Sequence, residues 1–501
     1  MELQRFFEHW NLNDDPFKAE EAGTDAVYAR SMEGAVTHPD FQKIYGSPEH
    51  PSSSIVFGEK GSGKTAMRLL MERQLKAHNE TCPQEKVWII GYDDLNPVLD
   101  RLAHRLSKRD PEKCLDKLRL QNHQDALLSL AVTDLVDRIV EDQPDRDQES
   151  WRKALRRMSL DKRLDLGVLA LLYDQPKHGQ RTERWSRLKR TLRFGHLFNR
   201  QVHGVLTVAF GVAALVAVGF QQFAGPLDLQ WQIAGGAAVL GFAALGLGWI
   251  VRSLRKFFLS GRIRREILPV EHEPRALKQG LWDLRENRGA LHLIPDKEDQ
   301  EKRYKATQSF LHIIRELGFN SIVVLVDRVD EPALINSDAQ RMRKLIWPML
   351  NNKFLQQERV GIKMLLPIEL GQIIDKEGGD FRRQARLDKQ NLVNPLRWTG
   401  TILYELCSSR FRHCQREGGE QFKELKDLFS DDIDQRDLVD ALDQMHQPRD
   451  AFKFLYAVIL RHCQNTPGDT KDFKIPKLTL EFVRQEQSQR VMNLYRSSSP
   501  D

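Results

Sequence analysis

Gly58-Glu59-Lys60-Gly61-Ser62-Gly63-Lys64-Thr65 satisfies the pattern G-x-x-x-x-G-K-[ST] at every position. Each residue type has a physical reason to stand where it does. The glycines permit backbone angles that turn successive N–H groups toward one anion. A helix opening at Thr65 adds the positive end of its dipole at the same point. Lys64 brings a positive charge to the outer phosphates of a nucleotide, and the Thr65 hydroxyl is a ligand for Mg²⁺. Gly58, Glu59, Lys60, Gly61, Ser62, Gly63, Lys64 and Thr65 are therefore the expected binding residues for ATP, the default nucleotide in the absence of a guanine-specific motif. Lys64 is also expected to serve in catalysis.

Outward from the loop, residues 52–57 (SSSIVF) form a short β-prone run. On the other side, Met67, Leu70, Met71 and Leu75 recur at helical spacing, and 86–92 (KVWIIGY) reads as a buried strand. Strand, glycine loop, helix and strand make the βαβ unit of a parallel sheet. Far along the chain, 321–326 (SIVVLV) is a second buried strand that runs into Asp327. An acid at that point orients Mg²⁺ through its water shell. Asp330 and Glu331, just beyond the strand, are candidate general bases for the attacking water. A further strand is expected at 361–366, ending against Pro367. Helices are expected at 126–141, 151–173, 273–288, 302–317, 339–354, 399–412, 421–428, 437–446 and 449–463.

The chain has 501 residues, enough for two or three folding units. With 41% hydrophobic and 29% charged residues it has a globular composition, and a net charge of +6 singles out no partner. Its five cysteines show no metal-ligand spacing and read as free thiols in a reducing compartment. The first residues have no long apolar core, so no signal peptide is expected and the chain starts in the cytosol. Two stretches, about 202–223 and 231–251, contain no Asp, Glu, Lys or Arg. Each is long enough to span a bilayer as a helix of about 20 residues. Ala224-Gly225-Pro226-Leu227-Asp228 turns between them, and arginines crowd both outer flanks. The pattern predicts a two-helix transmembrane hairpin in the inner membrane, with the lipid bilayer as a partner and both termini cytoplasmic.

The D-x-x-D-E arrangement Asp327, Asp330 and Glu331 resembles the Walker B segment of NACHT and related STAND ATPases, departing from it at Arg328, where a small residue is usual. A hairpin between Walker A and Walker B resembles the KAP family of P-loop ATPases. Pro448-Arg449-Asp450, opening a late helix, resembles the sensor-2 step of AAA+-like ATPases of the origin-recognition and STAND type. By that likeness Arg449 reaches the γ-phosphate, and Arg383 or Arg386 could act as a finger on a neighbouring subunit of a homo-oligomer. The resemblance implies an α/β P-loop NTPase parallel sheet, AAA+/STAND-like, with an inserted transmembrane hairpin and a C-terminal α-helical lid. The implied divisions are 1–145 (Walker A half), 146–270 (helical insertion), 271–398 (Walker B half) and 399–501 (lid).

It further implies a membrane-anchored ATP hydrolase with ATP and Mg²⁺ as cofactors, with Thr65 and Asp327 toward the metal. The activity would be that of an ATP-dependent switch or assembly in signalling or phage defence. An alternative is a nucleotide-dependent nucleic-acid binder tethered to the membrane, for which the mixed charges of 471–496 give weak support. A pore is disfavoured by the lack of Asp, Glu, Lys and Arg in the two spans.

Overall fold

The computed structural model describes residues 1–18, 21–31, 36–107, 110–140, 146–176, 181–193, 208–209, 211–212, 216, 229–284, 290–296, 301–376, 387, 390–416, 422, 424–468, 470 and 472–498. The chain divides into two compact units, one of Met1–Asp94 with Ser321–Asp501 and one of Leu95–Asn320. The glycine loop and Asp327 fall in the first unit.

That unit is α/β, built on a five-stranded parallel sheet. The strands are β1 (Ser54–Gly58), β2 (Lys86–Tyr92), β3 (Phe319–Val326), β4 (Val360–Pro367) and β5 (Asn391–Val393), in the order β2-β3-β4-β1-β5. β1 pairs with β4 from Ser54 opposite Lys363 to Gly58 opposite Pro367, and β3 pairs with β4 from Ile322 opposite Val360 to Val326 opposite Met364. β1 and β4 are buried along their whole length, as near-continuous runs of Val, Ile, Leu and Met in a parallel sheet require. Two polar residues stand in these strands: the Ser54 hydroxyl donates to Ile44 O at 3.1 Å, and the Lys363 ammonium donates to Ile44 O and Ser52 O at 2.7 Å each; burial pulls the Lys363 pKa down to about 7.

Val56, Val323, Leu325 and Leu365 share one core with Met67, Leu70, Met71 and Leu75 of the helix Lys64–Thr81. The chain therefore leaves β1 and crosses by this helix to β2 at the far edge, and β3 and β4 fill the places between. Gly58 thus ends one strand and Asp327 follows another, the two separated by one neighbour, at the carboxyl edge where open α/β sheets present their ligand crevice. β5 escapes the sequence reading because three residues are too few to show a period. Its line is continued by Leu396, whose N–H donates to Phe57 O at 2.8 Å.

A second core in the first unit belongs to the C-terminal helices Gly400–His413, Gln435–Asp443 and Pro448–Asn465. The beginning of the chain completes it: Phe6, Trp10, Leu12, Phe17 and Val27 are buried among these helices. The helix Gln435–Asp443 opens with a reciprocal capping box between Asp434 and Asp437. Between 339 and 354 the expected helix is broken into Ala339–Ile346, a 3₁₀ turn at Trp347–Met349 and Asn352–Leu355, because Pro348 cannot continue it.

The second unit is helical. Its helices include Leu120–Val140, Leu160–Tyr173, Leu229–Glu266, Pro274–Asp283 and Glu301–Arg315. A buried two-pronged ion pair, Arg303 Nε and Nη2 to the Asp125 carboxylate at 2.9 Å each, takes a further bond from Tyr173 O–H at 3.2 Å. The expected helix 151–173 is two, Arg146–Arg157 and Leu160–Tyr173, divided at Ser159, which caps the second. The five cysteines are free, and four of them are buried.

The membrane expectation is corrected. No helix among the described residues is long and apolar enough to cross a membrane. The inner-membrane, two-span location therefore does not stand. The expected first span, 202–223, lies largely outside the described residues. The second, 231–251, is not a separate span but the first part of one helix, Leu229–Glu266, which continues into Arg252, Arg255, Lys256, Arg262, Arg264 and Arg265. That charged half packs within its own unit: Ile263 is buried, and the Lys256 ammonium lies 3.7 Å from the centre of the Trp282 ring.

His272 of the second unit gives a test of this packing. Its Nε2–H donates to Leu172 O at 2.8 Å, and burial, helped by the charges of Arg181 and Arg105, lowers its pKa from the ordinary 6.5 to about 3. Above the ordinary value the imidazole is neutral in folded and unfolded chains alike. Below it the unfolded chain binds a proton that the fold refuses, so stability falls as the pH drops toward the folded value. At pH 5 the loss is about 2 kcal/mol from this group. Urea unfolding at pH 7 and pH 5 measures it, and His272→Gln is expected to remove that part of the fall.

Candidate functional site

β1 ends at Gly58 and the helix Lys64–Thr81 begins after a short loop. Gly61 and Gly63 hold φ of +102° and +87°, the left-handed region that favours glycine. Gly61 has a second reason to lack a side chain: a Cβ there would lie 2.9 Å from Arg449 Cβ and 3.0 Å from Gln447 Oε1. Lys64 Nζ donates to Gly58 O at 2.7 Å and Glu59 O at 2.8 Å, which holds its ammonium inside the loop. Burial lowers its pKa, while the charges of Asp330, Asp327 and Glu369 act the other way.

Asp327 follows β3 and is 1% exposed. Its N–H donates to Tyr92 O at 3.4 Å, tying the ends of β3 and β2 together. Burial raises its pKa; a hydrogen bond from the Thr65 side chain, the Arg328 backbone and the charges of Arg68 and Lys64 hold the carboxylate form against that. Lys64, Thr65 and Asp327 therefore meet, although most of the chain lies between them. They face a cavity of about 630 Å³, whose walls also include Asp330, Glu331 and Arg449. Burial raises the Glu331 pKa, with the Arg328 charge opposing.

Compared with protein-family models, curated proteins and solved structures, the chain matches none.

The other residues expected from the sequence are distributed around this centre. Lys60 and Gly63 line the cavity. The Glu59 carboxylate accepts from Gln447 Nε2. Ser62 is buried, and its carbonyl accepts from Trp398 Nε1 at 2.8 Å. Pro448 sits in the first turn of the helix Pro448–Asn465, and the next residue, Arg449, directs its N–H at Gly61 O, 3.4 Å away. Arg383 and Arg386 lie outside the described residues.

Several site residues were not expected. Glu369, in the first turn after β4, lines the cavity and bears on Lys64. It stands two residues past Pro367, close enough to the strand end to have been sought. Gln447 immediately precedes the Pro-Arg step and was legible in the same way. Trp398 and Tyr28, whose hydroxyl donates to Ala66 O, carried no periodic signal. Asp25, on the same N-terminal stretch as Tyr28, is fixed to the C-terminal helices by a buried ion pair with Arg410 at 2.7 Å.

Arg328, the departure noted in the acidic motif, has φ +56°, and its Nε is 3.7 Å from Glu331 Oε1. A side chain in that backbone region costs about 1–2 kcal/mol. Arg328→Gly is expected to raise stability by about 0.5–1 kcal/mol after the extra freedom of an unfolded glycine is subtracted. Arg328→Ala keeps the strain and loses the ion pair, so it should not stabilise. Denaturant midpoints of the two variants make the comparison.

Proposed function

We propose that the chain is a Mg²⁺-dependent ATPase of the P-loop kind, related in mechanism to the STAND and AAA+-like enzymes, and that it acts as an ATP-driven switch. The observation that carries this reading is the meeting of Lys64, Thr65 and Asp327 at one cavity. In the reading, the N–H groups of the glycine loop and the start of the helix Lys64–Thr81 receive the phosphates. Lys64 leaves the carbonyls of Gly58 and Glu59 to meet the β- and γ-phosphate oxygens.

The residues present fit a magnesium ion. Asp327 Oδ2 is buried with no hydrogen-bond partner, and the Thr65 hydroxyl stands beside the carboxylate. Among the described residues no group of three or more His, Cys, Asp or Glu side chains could hold a metal ion. That suits Mg²⁺ in a nucleotide site, which takes one or two protein oxygens and completes its shell with phosphate and water. When bound, the ion would neutralise charge on the phosphates. Asp330 and Glu331 are the carboxylates available to orient the attacking water, and Arg449 is the cation available on the side of the C-terminal helices.

The switch follows from the contacts over the loop. Gln447 holds the side chain of Glu59, and Arg449 meets the backbone of Gly61. A nucleotide that rearranges the loop must carry the start of the helix Pro448–Asn465 with it, which supports the lid role for these helices.

Titration with a fluorescent ATP analogue and a phosphate-release assay test the proposal. Lys64→Ala is expected to lose nucleotide binding by about 100-fold or more and turnover with it. Asp327→Asn should keep nucleotide binding without metal while losing turnover by a similar factor. Normal turnover in Lys64→Ala sinks the proposal, and competition by GTP in the same titration decides the base preference.

A further inference from the structure

Arg68 lies one turn into the helix Lys64–Thr81 and is 8% exposed. Its guanidinium addresses three carboxylates. Nη1 bonds Glu72 Oε2 at 3.3 Å within the helix. Nη2 is 3.3 Å from Asp93 Oδ2, just past β2, and Nε is 3.4 Å from Asp327 Oδ2. The last contact differs in kind from the first. It is an ion pair without a hydrogen bond, since Arg68 Nε and Asp327 Oδ2 are both buried and neither has a hydrogen-bond partner. Arg68 therefore supplies Asp327 with counter-charge and leaves the Oδ2 lone pairs unspent.

A carboxylate needs that combination if it is to hold a hydrated cation. Burial alone disfavours its charged form. A full two-pronged bond to arginine would neutralise it but would consume the acceptor sites that metal-bound water must use. The Asp125–Arg303 pair in the second unit shows this chain making such a closed pair, at 2.9 Å on both prongs. At Asp327 the pair is left open.

We propose that Arg68 is a positioning residue for the metal-bearing carboxylate: it anchors on Asp93 and Glu72, orients Asp327, and thereby sets the affinity of the site for a divalent cation. The inference rests on the ATPase reading above. Outer partners of metal ligands typically contribute about 10- to 100-fold in metal affinity. The purely structural alternative is that Arg68 only fastens its helix to the edge of the sheet.

The test uses the full chain, Mn²⁺ as the probe, and a non-hydrolysable ATP analogue. Mn²⁺ affinity is read by electron paramagnetic resonance, and metal-free affinity for the analogue is read separately. Arg68→Met keeps the length of the stem. It is expected to weaken Mn²⁺ binding by about 10- to 100-fold while metal-free nucleotide affinity stays within about 3-fold, and Arg68→Lys should recover part of the loss. Unchanged Mn²⁺ affinity in Arg68→Met overturns the proposal. So does a parallel fall in both affinities, which is what a structural staple would give. If Arg68→Met does not fold, Asp93→Ala replaces it: this variant removes one anchor and is expected to weaken Mn²⁺ by about 3-fold or more, and unchanged affinity again overturns the proposal. A wild-type chain that binds no nucleotide shows instead that the ATPase reading is wrong, and this inference falls with it.

Discussion

The carboxylate of Asp327 has been taken out of water at the end of a buried strand, and the arrangement around it follows from the need to keep it charged. An isolated buried carboxylate would take up a proton. Here a hydroxyl from Thr65, a backbone N–H, the guanidinium of Arg68 and the ammonium of Lys64 converge on it. Three of these side chains come from one helix, Lys64–Thr81. That helix can reach Asp327 because β4 alone separates β1 from β3. The strand order, the crossover to the far edge and the short glycine loop all serve one juxtaposition. It also leaves Lys64 with acidic neighbours, so the site holds opposite charges that a bound triphosphate and cation would rearrange rather than create.

The loop is constrained from its other side as well. Gly61 has no space for a methyl group because Gln447 and Arg449 stand against it, and Trp398 holds the carbonyl of Ser62. Gln447 and Arg449 belong to the start of a helix whose buried face, through Ala451, Phe454, Leu455 and Val458, is part of the second core. Phe6, Trp10 and Phe17 from the beginning of the chain share that core. A displacement of the loop is therefore felt by a large packed body rather than by one side chain. Close-packed interiors respond to such displacement by moving as units, which is the physical basis for proposing a switch rather than a simple hydrolase.

How much of this could be read from the sequence depended on whether the signal was local. The glycine loop was legible because steric demand and phosphate chemistry restrict each position in a short stretch. β1, β2, β3 and β4 were legible because strands buried on both faces are near-continuous apolar runs. β5 was not, since three residues carry no period. The place of Phe6, Trp10, Phe17 and Val27 was hidden because they are scattered among polar residues and have meaning only beside helices from the other end of the chain. Arg68 was hidden in the same way: on a helix wheel it is a charged residue, and its partners Asp93 and Asp327 follow the ends of two different strands. The apolar run at 231–251 misled for the opposite reason. The charged stretch after 251 reads in the sequence as a flank of a span, but it continues the same helix, where Lys256 is stacked on Trp282 rather than held in water.

The segment after Asp327 completes the physical picture. Arg328, Asn336 and Ser337 all hold positive φ without being glycine, at +56°, +49° and +57°. They bracket Asp330 and Glu331. Ser337 N–H closes the segment by donating to Asp330 O at 3.0 Å, and Val329 within it is fully buried. Each left-handed residue costs free energy that an unconstrained loop would relax away. The strain persists because the closing hydrogen bond and the buried valine fix the backbone between the two ends. Asp330 and Glu331, carried on this loop, line the cavity that Lys64 and Asp327 also face. Stored strain of this kind concentrates where a side chain must be aimed rather than merely accommodated. Here the strained segment carries Asp330 and Glu331, the two candidate bases of the proposed hydrolysis.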